Sequence, residues 1–495
     1  MSTLQFQPAT YDAFLALAQE ATVVPVAVTL PADVHTPVGV FLKVAGQSGD
    51  VGLFENQRLE RHLPPYTLIG LDPRWIITGR DGKVELRTPH ATLERTETLL
   101  QAVRRRLRAD ILAPVADIPA LASAAFGYLA HEASHQLHGV PPRVPPTVEG
   151  VLAAFGTVIV FDHAHQRLHI VVNVPTDGRT ERLEADYAAA QQRLQSVAQQ
   201  LDGPFPALPA LPRPTSRSIV TPMTPEQFRQ AVEHTEQCIA AGELHVATLA
   251  QRLERPTAAH PFSIYRLLRA TPSLLGTFFF SAGGTAILGG IAHNVVQGRG
   301  ESLRAYLATH ERPAGSTEAE LSLALAELAS DESATGQHIG FVDALRNDLG
   351  QIAGYGSLEL EILAQAEAAP QQVRLISTLQ SQLASGRDYL DVLAARLPSA
   401  QWTGLPKRPA LRLTTALEPV RRHHFGSQFC LLVPQVELLA CETCHVLEVT
   451  NQVARFYAFA ALTGDTNLSE ALVKGAKTAQ HTAALLEQAE AQTVH

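Results

Sequence analysis

Residues 66–86, YTLIGLDPRWIITGRDGKVEL, are two apolar runs parted by Asp81-Gly82. An Asp-Gly pair at that place favours a tight hairpin turn, whose central residues take positive φ. Residues 151–172, VLAAFGTVIVFDHAHQRLHIVV, repeat the order of strand, turn and strand. Such hairpins build antiparallel sheet, because parallel neighbours need a long crossover between them. Other strand-like runs cover 23–28, 36–44, 278–291, 429–449 and 455–462. Helical patterns cover a short stretch ahead of 23–28, then 91–112, 178–201, 318–334, 371–396 and 467–490. Helices and strands alternate irregularly. The expected class is α+β with mainly antiparallel sheet, not a doubly wound parallel sheet. Neither G-x-G-x-x-G after a strand nor G-x-x-x-x-G-K-[ST] occurs, so nucleotide-loop chemistry has no support.

Residues 203–222, GPFPALPALPRPTSRSIVTP, contain six prolines. Proline removes a backbone donor and fixes φ, so this stretch is expected to be an extended connector. It divides the chain into a first region over 1–202 and a second over 223–495. The second opens on a well-marked helix. Thr224 is the N-cap, Pro225 suits the first turn and Gln227 completes a capping box. Phe228, Val232, Thr235 and Ile239 share one face, and Gly242 ends it.

Hydrophobic residues make up 46% of the chain, enough for a large core. The net charge is -9, and the strongest basic run, Arg104-Arg105-Arg106-Leu107-Arg108, reads as a solvated helix face. Nucleic acid is therefore not an expected partner. No apolar run reaches the eighteen residues of a membrane helix. The opening MSTLQFQPATYDAF lacks the charged and apolar regions of a secretory signal. Four cysteines do not make a disulfide scaffold in a chain this long. The expectation is a cytoplasmic protein with reduced thiols and no membrane span.

Two short motifs invite a metal or redox reading. His131-Glu132-x-x-His135 has zinc-peptidase spacing, but it fixes only three positions and lacks a clear third ligand, His138 being only three residues on. The bland reading is an amphipathic, partly exposed segment. Cys441-Glu442-Thr443-Cys444-His445 reads CxxCH. It lies in an alternating run, where period two sends Cys441 and Cys444 to opposite faces. A shared metal or a dithiol then needs a bulge, and buried structural cysteines are the default.

HIGFVDALRNDLGQIAGYGSLELE, residues 338–361, resembles the core H-x-M-L-V-D-L-x-R-N-D-L-G-R-V, followed by G-S-V, of anthranilate synthase component I and the wider chorismate-utilising enzymes. Residues 218–252 resemble the family segment ending I-x-x-G-D-I-F-Q-V-V-L-S-Q-R. LPKRPALRLTTALEPVRR, 405–422, resembles APKVRAMEIIDELEPVRRG. In the first region Asp33, Thr36-Pro37 and Lys43 fit D-x-x-T-P-x-x-x-x-x-K. LFEN (53–56) sits where the family has LLES, YTLIGLDP (66–73) where it has YSFIGLDP, and FGYLAHE (126–132) where it has VGYLGYD. The resemblance spans roughly 12–485. It implies two large, mainly antiparallel sheets packed face to face with surrounding helices, and an active site among elements of the second region. It also implies Mg2+-dependent chemistry on chorismate. Glutamates hold the metal, since Mg2+ takes hard oxygen ligands, and a general acid or base assists. Ammonia comes from a glutamine amidotransferase partner.

The departures fall on the chemistry. The family's E-R-A-E-H segment, which carries a metal-binding glutamate, has Ala334 and Gln337 at its glutamate positions. Its A-G-T-R-P-R-G loop becomes Thr309-His310-Glu311-Arg312-Pro313-Ala314-Gly315, with His310 and Glu311 at the tip. Its histidine in V-M-H-L-V-S becomes Arg374, which cannot act as a general base. Its A-I-R-T strand puts Cys444 near the arginine and His445 near the threonine. The glutamine of I-F-Q-V-V falls at Val246, and G-x-S-P-E becomes Gly290-Ile291-Ala292-His293. Of the last helix's E-Y-x-E only Glu470 remains. A Gly-rich strand becomes Ala458-Phe459-Ala460-Ala461-Leu462, expected to fill ligand space.

The reading is a pseudoenzyme: a non-catalytic homologue that binds a small chorismate-like anion, an amino acid, an enzyme partner or its own copy. Ligand-binding candidates are Arg374, Lys407, Gly404, His310 and Cys444. For Arg374 the alternative is a salt bridge to Glu367, and for Lys407 a surface charge. Arg346, Asn347 and Asp348 are assigned structural hydrogen bonds near a turn. Glu55 and Asn56 stand at the family's regulatory amino-acid site, where tryptophan is the natural candidate. No cofactor is expected, because the Mg2+ ligands are lost. The competing readings are an active but rewired, metal-independent chorismate enzyme, and a conventional anthranilate synthase subunit whose glutamates are displaced.

Overall fold

The computed structural model describes residues 4–492 except 46–48, 57–62, 142–146, 177–179, 207–210, 213, 215, 272–273, 370 and 466–467. The first region contributes a sheet that begins with Phe6–Gln7 on Val23–Pro31. It continues through Arg167–Pro175, Val148–Asp162, Tyr66–Arg80 and Lys83–Arg87 to Thr92–Thr96. The second region contributes another, from Glu359–Ala369 through Gln372–Gln382, Ser302–Pro313, Thr285–Arg299, Glu437–Thr450 and Val453–Thr463 to Val246–Pro256. All these pairings are antiparallel, as the hairpins predict.

The two sheets are also stitched together. Val51–Glu55 pairs with both Tyr66–Arg80 and Thr277–Ala282, and Ala125–Leu129 pairs with both Val148–Asp162 and Gln428–Val433. Hydrogen bonding thus runs unbroken around a shared core, and the halves on either side of the connector fold against each other. Phe429 stacks at 5.1 Å on Phe278 and 5.6 Å on Phe54, while Phe126 meets Phe155 at 4.7 Å. A Cβ at Gly70 would stand 2.4 Å from the Phe155 ring, so glycine there admits the aromatic core. Each fully buried aromatic contributes about 1.5–3 kcal/mol of burial.

Helices cover the outer faces. Pro225–Ala240 starts on the expected Thr224 cap and Gln227 capping box. Other expectations need correction. Residues 36–44 form the helix Pro37–Ala45, not a strand. The Thr36 hydroxyl accepts from Gly39 N–H, and Val40, Phe41 and Ala45 bury one helical face, with Phe41 stacked on Phe262 at 4.0 Å. Residues 371–396 are a strand, Gln372–Gln382, followed by the helix Tyr389–Arg396. Within 91–112, Thr92–Thr96 is an edge strand and the helix starts at Leu99. The 318–334 helix breaks at Asp331, whose side chain caps Glu332–Gly350. Residues 278–291 bend into a hairpin at Gly283-Gly284, both at positive φ. The basic run on Leu99–Ala109 is paired rather than merely solvated: Arg104 bridges Asp388 and Asp391.

Candidate functional site

A cavity of about 510 Å³ opens among Ser302–Pro313, Glu332–Gly350, Glu437–Thr450 and Val453–Thr463, with Leu468–Gln492 along one side. A bulge aims the first of these strands. Its register against Gln372–Gln382 slips between Thr309 and Arg312, and His310 sits at φ 55°. The His310 ring reaches Thr309 Oγ1 at 2.7 Å and Gln337 Oε1 at 3.2 Å. A second bulge holds His445 at φ 49°. Burial lowers the His445 imidazole to about 4, so it is neutral at pH 7.

Four aromatic rings line the opposite wall. Trp402 meets Phe425 at 5.4 Å and Phe459 at 5.6 Å, and Phe425 meets Tyr457 at 5.5 Å. The charged side chains on the wall are Glu311 and Asp465. Among the described residues no lysine or arginine lines the cavity. The Arg422 guanidinium, over the Phe425 ring, is held by Glu418 and by the Trp402 and Thr248 carbonyls.

The cavity walls are the segments on which the sequence motifs fell, and residues 53–470 match the chorismate binding enzyme family. The chain belongs to that family. Anthranilate synthase component 1 of Streptomyces coelicolor is 30% identical over 430 residues, 83% of this chain and 78% of the relative. The Geobacillus stearothermophilus protein of the same name is 26% identical over 468 residues, 92% of each. Anthranilate synthase component I from Streptococcus pneumoniae superposes with a TM-score of 0.73 at 20% identity, covering 92% of this chain and 99% of that one. MenF, the menaquinone-specific isochorismate synthase of Escherichia coli, gives 0.72 at 15% identity, covering 96% and 98%. These likenesses establish the shared α+β fold.

Val246, His310, Gln337 and Cys444 all line the cavity. Three other candidates do not. Arg374 is 4% exposed and is not part of the cavity wall. Its guanidinium donates twice to Glu367, at 3.0 and 2.9 Å, and sits over the Tyr306 ring. Lys407 is mostly covered rather than a surface charge: its Nζ is 2.5 Å from Asp348 Oδ2, on the wall of a larger adjoining cavity of about 1240 Å³ that shares Val246, Gln337, Thr463 and Asp465 with the first. Burial pushes the Lys407 ammonium down and the Asp348 carboxyl up, and their mutual attraction opposes both shifts. Gly404, at φ 134°, is a close-packing position. A Cβ there would lie 2.3 Å from the Val246 carbonyl oxygen. Of the R-N-D match, Asp348 is buried in that ion pair, whereas Arg346 meets Asp343 on an exposed helix face rather than near a turn.

The Mg2+ that the resemblance implies finds no donor set among the described residues. Ala334 is buried in an apolar cluster with Leu328, Val373 and Leu375. Gln337 offers one neutral amide oxygen, already on His310, and its NH2 donates to Ser333. No three His, Cys, Asp or Glu side chains converge on this cavity among the described residues. Glu470 lies in Leu468–Gln492, and its side chain is outside the described residues.

The remaining candidates sit elsewhere. Glu55 is fully buried, pairs with Arg269 at 2.9 Å and accepts from the Tyr265 hydroxyl. Asn56 donates to the Pro64 carbonyl at 2.9 Å. The HEASH segment is not partly exposed: His131, Glu132 and His135 are 2%, 1% and 9% exposed. It is a buried brace. Glu132 accepts from Arg421 at 3.4 Å and from His423 N–H at 3.2 Å, and His131 meets Thr403 at 3.1 Å. Cys441 packs in the shared inter-sheet core and Cys444 against a different cluster, as strand alternation requires. Burial raises the Cys444 thiol far above its usual range. Sequence reasoning missed Trp402, Phe425 and Asp465. The available signal was Trp402, one of only two tryptophans, just ahead of the G-x-P-K match.

Proposed function

We propose that the chain is a chorismate-binding-family protein that has given up Mg2+-dependent turnover and acts by binding. The chemistry of the cavity wall supports this. A dicarboxylate needs fixed cations or a metal to replace lost hydration. The described wall instead carries Glu311 and Asp465, the rings of Phe341, Trp402, Phe425, Tyr457 and Phe459, and the neutral His445. Gln337, at the position of a metal-binding glutamate, is committed to His310. Each missing term removes several kcal/mol of transition-state stabilisation.

The cavity itself persists, and Phe459 narrows it without closing it. That supports a retained small-molecule role rather than a bare scaffold. Its occupant is a molecule with an apolar, flat body and no net negative charge. Calorimetry separates the readings. Chorismate is expected to give no heat that depends on Mg2+. A Mg2+-dependent chorismate isotherm would favour the second reading, an active anthranilate synthase-like enzyme with displaced ligands.

A further inference from the structure

Away from that site, a separate cavity of about 450 Å³ lies where the two regions meet, between Tyr66–Arg80 and Thr285–Arg299. His423, His424 and Glu448 form part of its floor. His423 Nδ1 is 3.3 Å and His424 Nε2 3.1 Å from the same oxygen, Glu448 Oε2. All three atoms lie within 4.8 Å of one another. We propose that His423 Nδ1, His424 Nε2 and Glu448 Oε2 form a site for a divalent transition metal of the zinc class.

The donor geometry matches. Zinc ligands stand about 2.0–2.2 Å from the metal, so tetrahedral neighbours are roughly 3.3 Å apart. Two imidazoles and one carboxylate suit zinc, cobalt or nickel rather than magnesium or calcium. The outer shell fits as well. The other oxygen of Glu448 is taken by Arg455 at 2.7 Å and Thr450 at 3.2 Å, which turns Oε2 toward the histidines. Thr147 approaches the far nitrogen of His423 at 3.5 Å, and the Tyr128 and His424 rings meet edge to face at 4.8 Å. Partners of this kind orient metal ligands.

The backbone gives an independent sign. His423 follows EPVRR, where the resembling family sequence has glycine, and it sits at φ 51°. A side chain in the left-handed region is strained and survives where something repays it. His424 and Glu448 are 3% and 6% exposed, while the His423 side chain is 23% exposed and faces the cavity. A bound ion therefore keeps positions open toward that space. Arg80, Lys83 and Arg87 face it from the first sheet, against Glu85 and Glu94. An exogenous ligand there would be water or a small anion.

The test uses the full-length protein. Cobalt titration should give one equivalent of visible d–d absorption, and zinc should displace it with matching stoichiometry by calorimetry. His423→Gly restores the family residue and relieves the strained φ, so it should fold. It should weaken zinc at least tenfold, as should Glu448→Gln, while His135→Asn in the neighbouring HEASH cluster should leave binding unchanged. Circular dichroism confirms the fold of each variant. Absence of a stoichiometric cobalt band in the wild type overturns the assignment. So does wild-type affinity in a folded His423→Gly or Glu448→Gln protein, or loss of binding in His135→Asn alone.

Discussion

Acidification should destabilise this protein through His338. His338 is fully buried between two hydroxyls, with Nδ1 2.7 Å from Thr309 Oγ1 and Nε2 2.7 Å from Ser377 Oγ. Burial, with His310 nearby, lowers its pKa from 6.5 to about 4. The folded value lies below the unfolded one, so the neutral ring contributes stability that is full above pH 6.5. That stability is lost as pH falls toward 4, because the unfolded chain binds the proton first. The loss is about 2 kcal/mol at pH 5 and about 3 kcal/mol at pH 4. The assay is urea unfolding of wild type and His338→Gln at pH 7 and pH 5. Glutamine cannot titrate, so the stability gap between the two proteins should shrink by about 2 kcal/mol on acidification. An unchanged gap would mean that the two hydroxyls solvate the imidazolium as well as water does, and the burial argument would fail.

The buried pairs and close contacts have further consequences. Lys407→Ala leaves Asp348 buried without its partner and should cost about 3–5 kcal/mol in urea unfolding. An anion-anchoring role for Lys407 would instead leave stability nearly unchanged. Gly404→Ala drives a Cβ into the Val246 carbonyl, so most of the protein should be insoluble or show a large drop in Tm. All four cysteines are free, and burial raises the thiols of Cys430, Cys441 and Cys444. Native protein should therefore react slowly with a thiol-specific disulfide reagent, and denatured protein should release four equivalents.

Local signals in the sequence were legible where the chemistry is local. Thr224, Pro225 and Gln227 announce a helix start, and Asp81-Gly82 announces a turn, because each acts within a few residues. The 36–44 and 371–396 assignments failed where apolar residues fit either period. In the first case the Thr36 cap decides for helix. In the second, pairing with Ser302–Pro313 decides for strand. The site was half legible. Family spacing placed Val246, His310, Gln337 and Cys444 on one cavity. The bond between Arg374 and Glu367 was readable because the two face each other across a hairpin. The Lys407–Asp348 pair and the burial of HEASH against Arg421 were not. Their partners lie 59 and 289 residues away, and only the packed fold brings them together.

The most direct test is turnover itself. Purified protein, chorismate, Mg2+ and ammonium, followed by product chromatography, should yield no anthranilate, isochorismate or other chorismate product above the uncatalysed background. Product at an ordinary enzyme rate, about 1–1000 per second, would contradict the loss of the metal-binding carboxylates and show that other groups hold the ion.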